Sequence, residues 1–214
     1  STPTSAAFDF QFRYNVRDAA NSGDWSRLSS SEAPLALESA YKQYAVTFVE
    51  NHDTEKRSGS EQDPLRKDTL AANAYMLAMS GTPCVFYKHW RDCKGDISQM
   101  IAVRRLAGIT NTSDSHVLAS CNSYHAVSTG DLLCVVGNRP QDYSVSSAQY
   151  AEVITGHGYR YLMRRTANTV WMDKLSGDYT APLQVVPTAI APSTAKLVFT
   201  PDGSVPTAAS RQAV

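Results

Sequence analysis

Three strand-like runs begin at Ala6, Tyr44 and Thr82, and each interval is 38 residues. Between the first two lies a helical pattern over 11–21, with Phe12, Val16 and Ala19 or Ala20 at helical spacing. Between the second and third, Asp63-Pro64 reads as a helix start, a cap residue followed by proline at the first helical position. That helix carries Leu65, Thr69, Ala72, Met76 and Met79 on its inner face and stops at Gly81. A further helix is predicted from Asp96, with Gln99 at capping-box spacing and Ile97, Met100 and Ile101 as its apolar stripe, ending at Gly108. Parallel strands need long crossover connections, whereas antiparallel hairpins close in a few residues. The repeat therefore predicts βα units and a parallel sheet over the strand runs 6–10, 44–49 and 82–87. The run 44–49 is apolar on both faces, as a strand covered by helices on both sides would be.

The texture changes after Ile109. Asn111-Thr112-Ser113-Asp114-Ser115 has linker composition. Short β-like runs follow at 116–121, 123–127, 132–137, 150–154, 159–163, 183–186 and 196–199, with a turn at Thr129-Gly130-Asp131. No helical periodicity competes with them, which predicts an antiparallel β module, a sandwich. The layout expected is an α/β part over 1–110, the β module over 111–200 and a mobile tail over 201–214.

The 214 residues carry 20 basic and 20 acidic side chains, so the formal net charge is zero. A phosphate-binding surface leaves a basic excess, so no nucleic-acid partner is predicted. An apolar fraction of 43% with 19% charged residues is ordinary globular usage. The longest apolar runs, such as 132–136, are far too short to span a bilayer. The N-terminus shows neither the basic start nor the apolar core of a signal peptide. A chain beginning at Ser1 reads as a mature secreted protein or as a fragment of a longer one. Four cysteines, Cys84, Cys93, Cys121 and Cys134, are too few for a disulfide scaffold in a chain of this length. Cys84 and Cys134 sit within apolar runs and are predicted to be buried free thiols, which leaves the redox compartment open.

In a parallel α/β architecture, chemistry collects at the C-terminal ends of the strands. That selects Asp9-Phe10, Asn51-His52-Asp53-Thr54 and Tyr87-Lys88-His89-Trp90. The second group gathers an amide, an imidazole and a carboxylate after the strongest strand. Two readings stand for it: a turn begun by Asp53 and Thr54 with His52 incidental, or a site. Trp90 offers an aromatic plane suited to stacking on a sugar ring, or to packing beneath a loop. Cys84, His89 and Cys93 lack the paired short spacings of a zinc site. Gly156-His157-Gly158 precedes a β run rather than a helix and so is no phosphate loop.

Phe48-Val49-Glu50-Asn51-His52-Asp53 resembles the strand-seven signature of the α-amylase family of glycoside hydrolases. Gly81-Thr82-Pro83-Cys84-Val85-Phe86-Tyr87 resembles the strand-eight segment of that family, and Phe8-Asp9-Phe10 its strand-six region. The resemblance implies that 1–110 are the last three βα units of a (β/α)8 TIM barrel and that 111–200 are the family's C-terminal β domain. It implies hydrolysis of α-1,4-glucosidic bonds of starch or maltooligosaccharides with retention. Asp53 matches the carboxylate that is neither nucleophile nor acid. That residue stabilises the transition state by binding sugar hydroxyls and favouring a distorted ring. His52 matches the histidine that holds those hydroxyls, and Asn51 a support residue; Trp90 completes the expected substrate-binding set.

The same resemblance places the nucleophile and the acid/base on earlier strands, and no Gly-x-Arg-x-Asp run occurs in the 214 residues. Retaining hydrolysis needs two carboxylates about 5 Å apart, so the chain alone is expected to be inactive. Three units cannot close an eight-stranded barrel. The expected partners are therefore an α-glucan and either the missing N-terminal part of the barrel or a second copy, meeting the open sheet edges. No cofactor is expected in this chain, although calcium would be possible in a complete enzyme. Secretion would suit a polysaccharide-degrading enzyme. The alternative reading is a non-catalytic carbohydrate-binding or interaction module, with Tyr150, Tyr159, Tyr161 and Trp171 as exposed-aromatic candidates.

Overall fold

The computed structural model describes residues 5–29, 32–55, 63–165, 198–199 and 211–212. By contacts the chain divides into Ser1–Arg165 and Thr166–Val214. In the second unit, the described residues form one antiparallel pair, β9 (Val198–Phe199) with β10 (Arg211–Gln212). Trp171 and the strand expected at 183–186 lie outside the described residues, as does the tail expected at 201–214 apart from β10.

The first unit opens with a parallel sheet. Strands β1 (Ala7–Phe8), β2 (Ala45–Thr47) and β3 (Thr82–Pro83) lie in that order, with Ala7 opposite Ala45 and Val46 opposite Thr82. The near-constant sequence offset across the ladder is the repeat read from the sequence. Between the strands run α1 (Phe10–Ser22) and α2 (Thr69–Ala78). Helix α1 starts because the Asp9 carboxylate accepts the Phe12 N–H at 3.0 Å, and it stops at Gly23, whose φ of 75° suits a residue without Cβ. Its buried stripe is Phe12, Val16, Ala19 and Ala20, at the expected spacing.

Helix α2 begins five residues beyond Pro64, not at Asp63-Pro64. Asp63 and Asp68 both have positive φ, and the backbone between them bonds to distant side chains. The Leu65 N–H donates to Glu50 Oε1 at 2.8 Å and the Arg66 N–H to Asn21 Oδ1 at 2.7 Å. The Pro64 carbonyl accepts from Asn21 Nδ2, and the Asp63 carbonyl from Arg13 Nη2. Groups satisfied in this way have no use for a helical ladder. The strand expected over 82–87 is likewise only two residues long, because Pro83 has no N–H to extend it and Tyr87 already opens α3 (Tyr87–Asp92). The single helix expected from Asp96 is preceded by that short one, and α4 runs over Lys94–Leu106 with Asp96 in its first turn. Ile97, Met100 and Val103 are its buried apolar residues, Arg104 is buried with them, and Ile101 is only half-buried.

The second layer is an antiparallel sheet of β4 (Ser115–Ser120), β5 (Tyr124–Thr129), β6 (Leu132–Gly137), β7 (Tyr150–Gly156) and β8 (Tyr159–Arg164), ordered β4-β5-β6-β8-β7. Strand β6 is central and buried along its whole length. One face sets His125, Cys134, Tyr159 and Tyr161 towards the helices. The other buries Ala126, Leu133, Val135 and Leu162 with Tyr124, Tyr143 and Tyr150 around them. Among the described residues the expected sandwich is thus one sheet with a helix against it. Tyr159 and Tyr161 are core residues rather than exposed binding aromatics, and Tyr150 is half-buried. Burial pushes the Tyr159 hydroxyl up to about 12.

Helix α2 joins the two layers. Every residue from Ala71 to Ala78 is buried. Alanines at 71, 72, 74 and 78 let neighbouring backbone come close, while Met76 and Leu77 each contribute roughly 2 kcal/mol by burial. Tyr75 stacks on Phe12 at 5.5 Å on one side and meets the edge of His125 on the other. The Tyr161 hydroxyl donates to the Ala74 carbonyl at 2.5 Å. A helix buried on all sides still has unpaired carbonyls at its C-terminal end. Arg104 of α4 satisfies one of them, donating to the Leu77 carbonyl (2.8 Å), and reaches on to the carbonyls of Met79 (2.5 Å) and Gly81 (3.0 Å) just beyond the helix.

Two outcomes follow for urea unfolding. Arg104→Met should lower stability by about 3 kcal/mol or more, since stranded buried acceptors cost about 1–3 kcal/mol each, and Arg104→Lys should recover only part. Burial holds His125 neutral and depresses its pKa to about 4, with Nδ1 3.0 Å from Ser120 Oγ. The unfolded imidazole binds its proton near pH 6.5. The stability from the neutral ring is therefore complete above that pH and is lost as pH falls towards 4, by of order 3 kcal/mol. His125→Phe should flatten the urea midpoint across that window.

Candidate functional site at the ends of the parallel strands

The three strand ends differ in what they offer. Asp9, after β1, is consumed by the fold. It is almost fully buried, and besides capping α1 its second oxygen accepts the Ala36 N–H at 2.9 Å. With those lone pairs occupied and no surface exposed, Asp9 is a structural residue.

After β2 the chain buries Phe48, Val49 and Glu50 and then turns outward. Asn51 builds the turn at 51–54. Its Oδ1 accepts the N–H groups of Asp53 (2.9 Å) and Thr54 (3.0 Å), and its own N–H donates to Thr54 Oγ1 at 3.0 Å. This is the turn reading of the run. The turn also displays the two groups needed for the site reading. His52 and Asp53 are 80% and 66% exposed in their side chains, with Nε2 and Oδ2 3.4 Å apart. An imidazole donor and a carboxylate acceptor side by side, both open to solvent, can bind vicinal hydroxyls in complementary senses.

After β3, Cys84 is exposed, which corrects its expected burial; Cys134 is buried as expected. The Cys84 backbone still reaches β2, its N–H donating to the Thr47 carbonyl at 2.7 Å, so it is the side chain that is turned out to solvent. Helix α3 then carries Tyr87, Lys88, His89 and Trp90. Tyr87 is 70% exposed, Trp90 is half-buried with Lys94 Nζ 6.0 Å from its ring centre, and His89 is buried.

What the sequence reading missed is the set of bonds that draws these ends together. Glu50 Oε2 lies 3.1 Å from His89 Nε2, and Lys88 pairs with Glu55. His89 Nδ1 lies 3.1 Å from Asn73 Nδ2 of α2. The only signal in the sequence was the placement of Glu50 and His89 at the ends of consecutive parallel strands. Among the described residues, no three His, Cys, Asp or Glu side chains group as a metal site, and no helix is long and apolar enough to cross a membrane.

Replacing Asn51 with Ala should leave the sheets folded but open the turn, at a cost of about 1 kcal/mol in local stability. Faster limited proteolysis between 51 and 55, with an unchanged rate elsewhere, is the expected readout.

No protein-family model matches the chain. In sequence it is 28% identical over 160 residues to "Probable alpha-amylase 2" of Arabidopsis thaliana, covering 72% of this chain and 38% of the relative. It is 38% identical over 101 residues to the α-amylase type B isozyme of Hordeum vulgare, covering 44% of this chain and 63% of the relative. The chain therefore spans less than two thirds of the length of either relative. In fold it is similar to AmyP, solved as a variant in complex with maltotriose, with a TM-score of 0.55 at 14% identity over 75% of this chain and 50% of AmyP. At that identity the likeness to AmyP is one of fold. Over the part it matches, the chain is similar in sequence to α-amylases, and over about half of AmyP it shares that protein's fold.

Proposed function

We propose that the chain is the C-terminal portion of an α-amylase-like enzyme that hydrolyses α-1,4-glucosidic bonds of starch or maltooligosaccharides with retention. The observation that carries the reading is the exposed His52–Asp53 pair at the end of the middle parallel strand, in a chain whose relatives are α-amylases. In this reading β1, β2 and β3 with their helices are the last three units of a (β/α)8 barrel, and β4 to β8 belong to the C-terminal β domain. The reading assigns 1–110 to the barrel, 111–200 to the β domain and 201–214 to a tail.

The chemistry assigned to the turn follows from the transition state. As the glucosyl ring flattens towards an oxocarbenium ion, hydrogen bonds to its hydroxyls strengthen, supplying several kcal/mol. Asp53 accepts from those hydroxyls and His52 donates to them, while Asn51 holds the turn and Trp90 offers a stacking plane. Contacts that tighten only in the transition state raise turnover more than binding. The nucleophile and the acid/base are assigned to sequence outside these 214 residues. The reading assigns the ligands of any calcium in a complete enzyme to that outside sequence as well.

The proposed partner is the remainder of the barrel or a second copy, meeting the outer edges of β1 and β3. Phe8, Phe10 and Tyr14 near the β1 edge, and Tyr87 beyond β3, are exposed apolar surface suited to that contact. The alternative, a non-catalytic carbohydrate-binding or interaction module, loses two of its aromatic candidates to the core with Tyr159 and Tyr161.

The test is release of reducing sugar from soluble starch. The purified chain and its Asp53→Asn variant should both release none. In an active assembly that includes the remaining barrel, Asp53→Asn should lower kcat by about 100-fold or more with KM changing far less. Activity of the isolated chain that disappears in Asp53→Asn would overturn the assignment of roles.

A further inference from the structure

We infer that Glu50, His89, Glu55 and Lys88 form a two-point clamp that holds the turn at 51–54 against α3, making them positioning residues for His52 and Asp53. The inference rests on the proposed role of that turn in sugar binding. Its geometry stands independently. Residues 50 and 55 bracket the turn, and their partners 88 and 89 are consecutive on one short helix. A turn held at one end only could swing about that point; held at both ends, it presents its apex in one orientation.

The inner point is fixed in direction as well as distance. Asn73 Nδ2 donates to the Thr69 carbonyl at 2.8 Å, so the same amide nitrogen faces His89 Nδ1 as a donor. Nδ1 must then accept, which leaves the ring proton on Nε2, donated to Glu50 Oε2 at 3.1 Å. The other Glu50 oxygen is occupied by the Leu65 N–H. The buried carboxylate thus has one donor on each oxygen, and the chain Thr69–Asn73–His89–Glu50–Leu65 runs from α2 through α3 to the end of β2. The Phe86 ring meets the imidazole edge-on at 5.4 Å, fixing the ring plane. Apolar residues of similar volume could supply comparable packing. They could not specify the direction from which α3 approaches the turn, and a directional hydrogen-bonded chain does. The outer Lys88–Glu55 pair is more exposed and sets the far end of the turn.

The test uses the full 214-residue chain labelled with 15N, with heteronuclear NOEs read at the amides of 51–54. The expected result is order in the turn matching that of β2 in the unaltered chain. Lys88→Ala should reduce it partly and His89→Ala more, with the double variant losing most of it. His89→Gln, which restores an N–H towards Glu50, should regain most of the order, a rescue that simple loss of packing would not show. A turn that stays as ordered as β2 in the double variant overturns the clamp, as does a turn already disordered in the unaltered chain. Titration with maltoheptaose, followed at the same amides, separates this inference from the functional reading. Binding weakened by about 10-fold in the double variant supports positioning, and equal affinity in every variant overturns it. No maltoheptaose response in the unaltered chain, with turn order still lost in the double variant, overturns the sugar reading and upholds the clamp.

Discussion

Helix α2 is buried on every side, and the rest of the first unit is arranged to make that possible. An all-round buried helix can bond its interior backbone groups to itself, but not its last carbonyls. Arg104 supplies part of that missing capacity, holding the Leu77 carbonyl of the last turn and those of Met79 and Gly81 just beyond it with two guanidinium nitrogens, a geometry that a lysine's single point charge cannot match. Once the end is satisfied, α2 can lie between the parallel strands and the antiparallel sheet. Both layers then share one core through Phe12, Tyr75, His125 and Tyr161. The α/β half and the β half of the first unit are therefore not separable layers joined by a linker. The helix that crosses between β2 and β3 is also the floor of the antiparallel sheet.

The strand ends inherit their order from this arrangement. Strand β2 delivers a buried carboxylate at Glu50 and, in the next few residues, an exposed imidazole and carboxylate at His52 and Asp53. The change from buried to exposed happens within a turn closed by one asparagine side chain. Rigidity near a proposed site thus comes from polar bonds anchored on a packed helix, since Asn73 of α2 reaches Glu50 through His89. Geometry held in this way requires little ordering when a ligand arrives, which is the general advantage of preorganised sites.

Much of this was legible beforehand. The equal spacing of the strand runs announced the parallel pairing, and the apolar spacing of Phe12, Val16, Ala19 and Ala20 announced the buried face of α1. The five β runs expected between 116 and 163 matched observed strands to within a residue or two, because short apolar runs bounded by turn residues leave a direct mark in sequence. Three of the misses share a cause. Asp63-Pro64 looks like a helix start until Asn21, Arg13 and Glu50 take its backbone groups. Asp9 looks like a strand-end carboxylate until Ala36 and Phe12 consume it. Tyr161 and Tyr159 look like surface aromatics until their hydroxyls meet Ala74 of α2 and Asp96 of α4. In each case the deciding partner lies far along the chain.

The sequence by itself determined where β1, β2, β4 to β8 and the helices α1 and α4 run, the parallel direction of the first three strands and the placing of Asn51, His52 and Asp53 after the second. Those are properties of local spacing and of connection length, which a linear pattern records. Only the tertiary structure decided which carboxylates remain open to a ligand, where α2 begins, and that Glu50 meets His89 across 39 positions of chain. Those depend on which donors compete for a given acceptor once the chain is folded, and competition between distant groups leaves no periodic mark in a sequence.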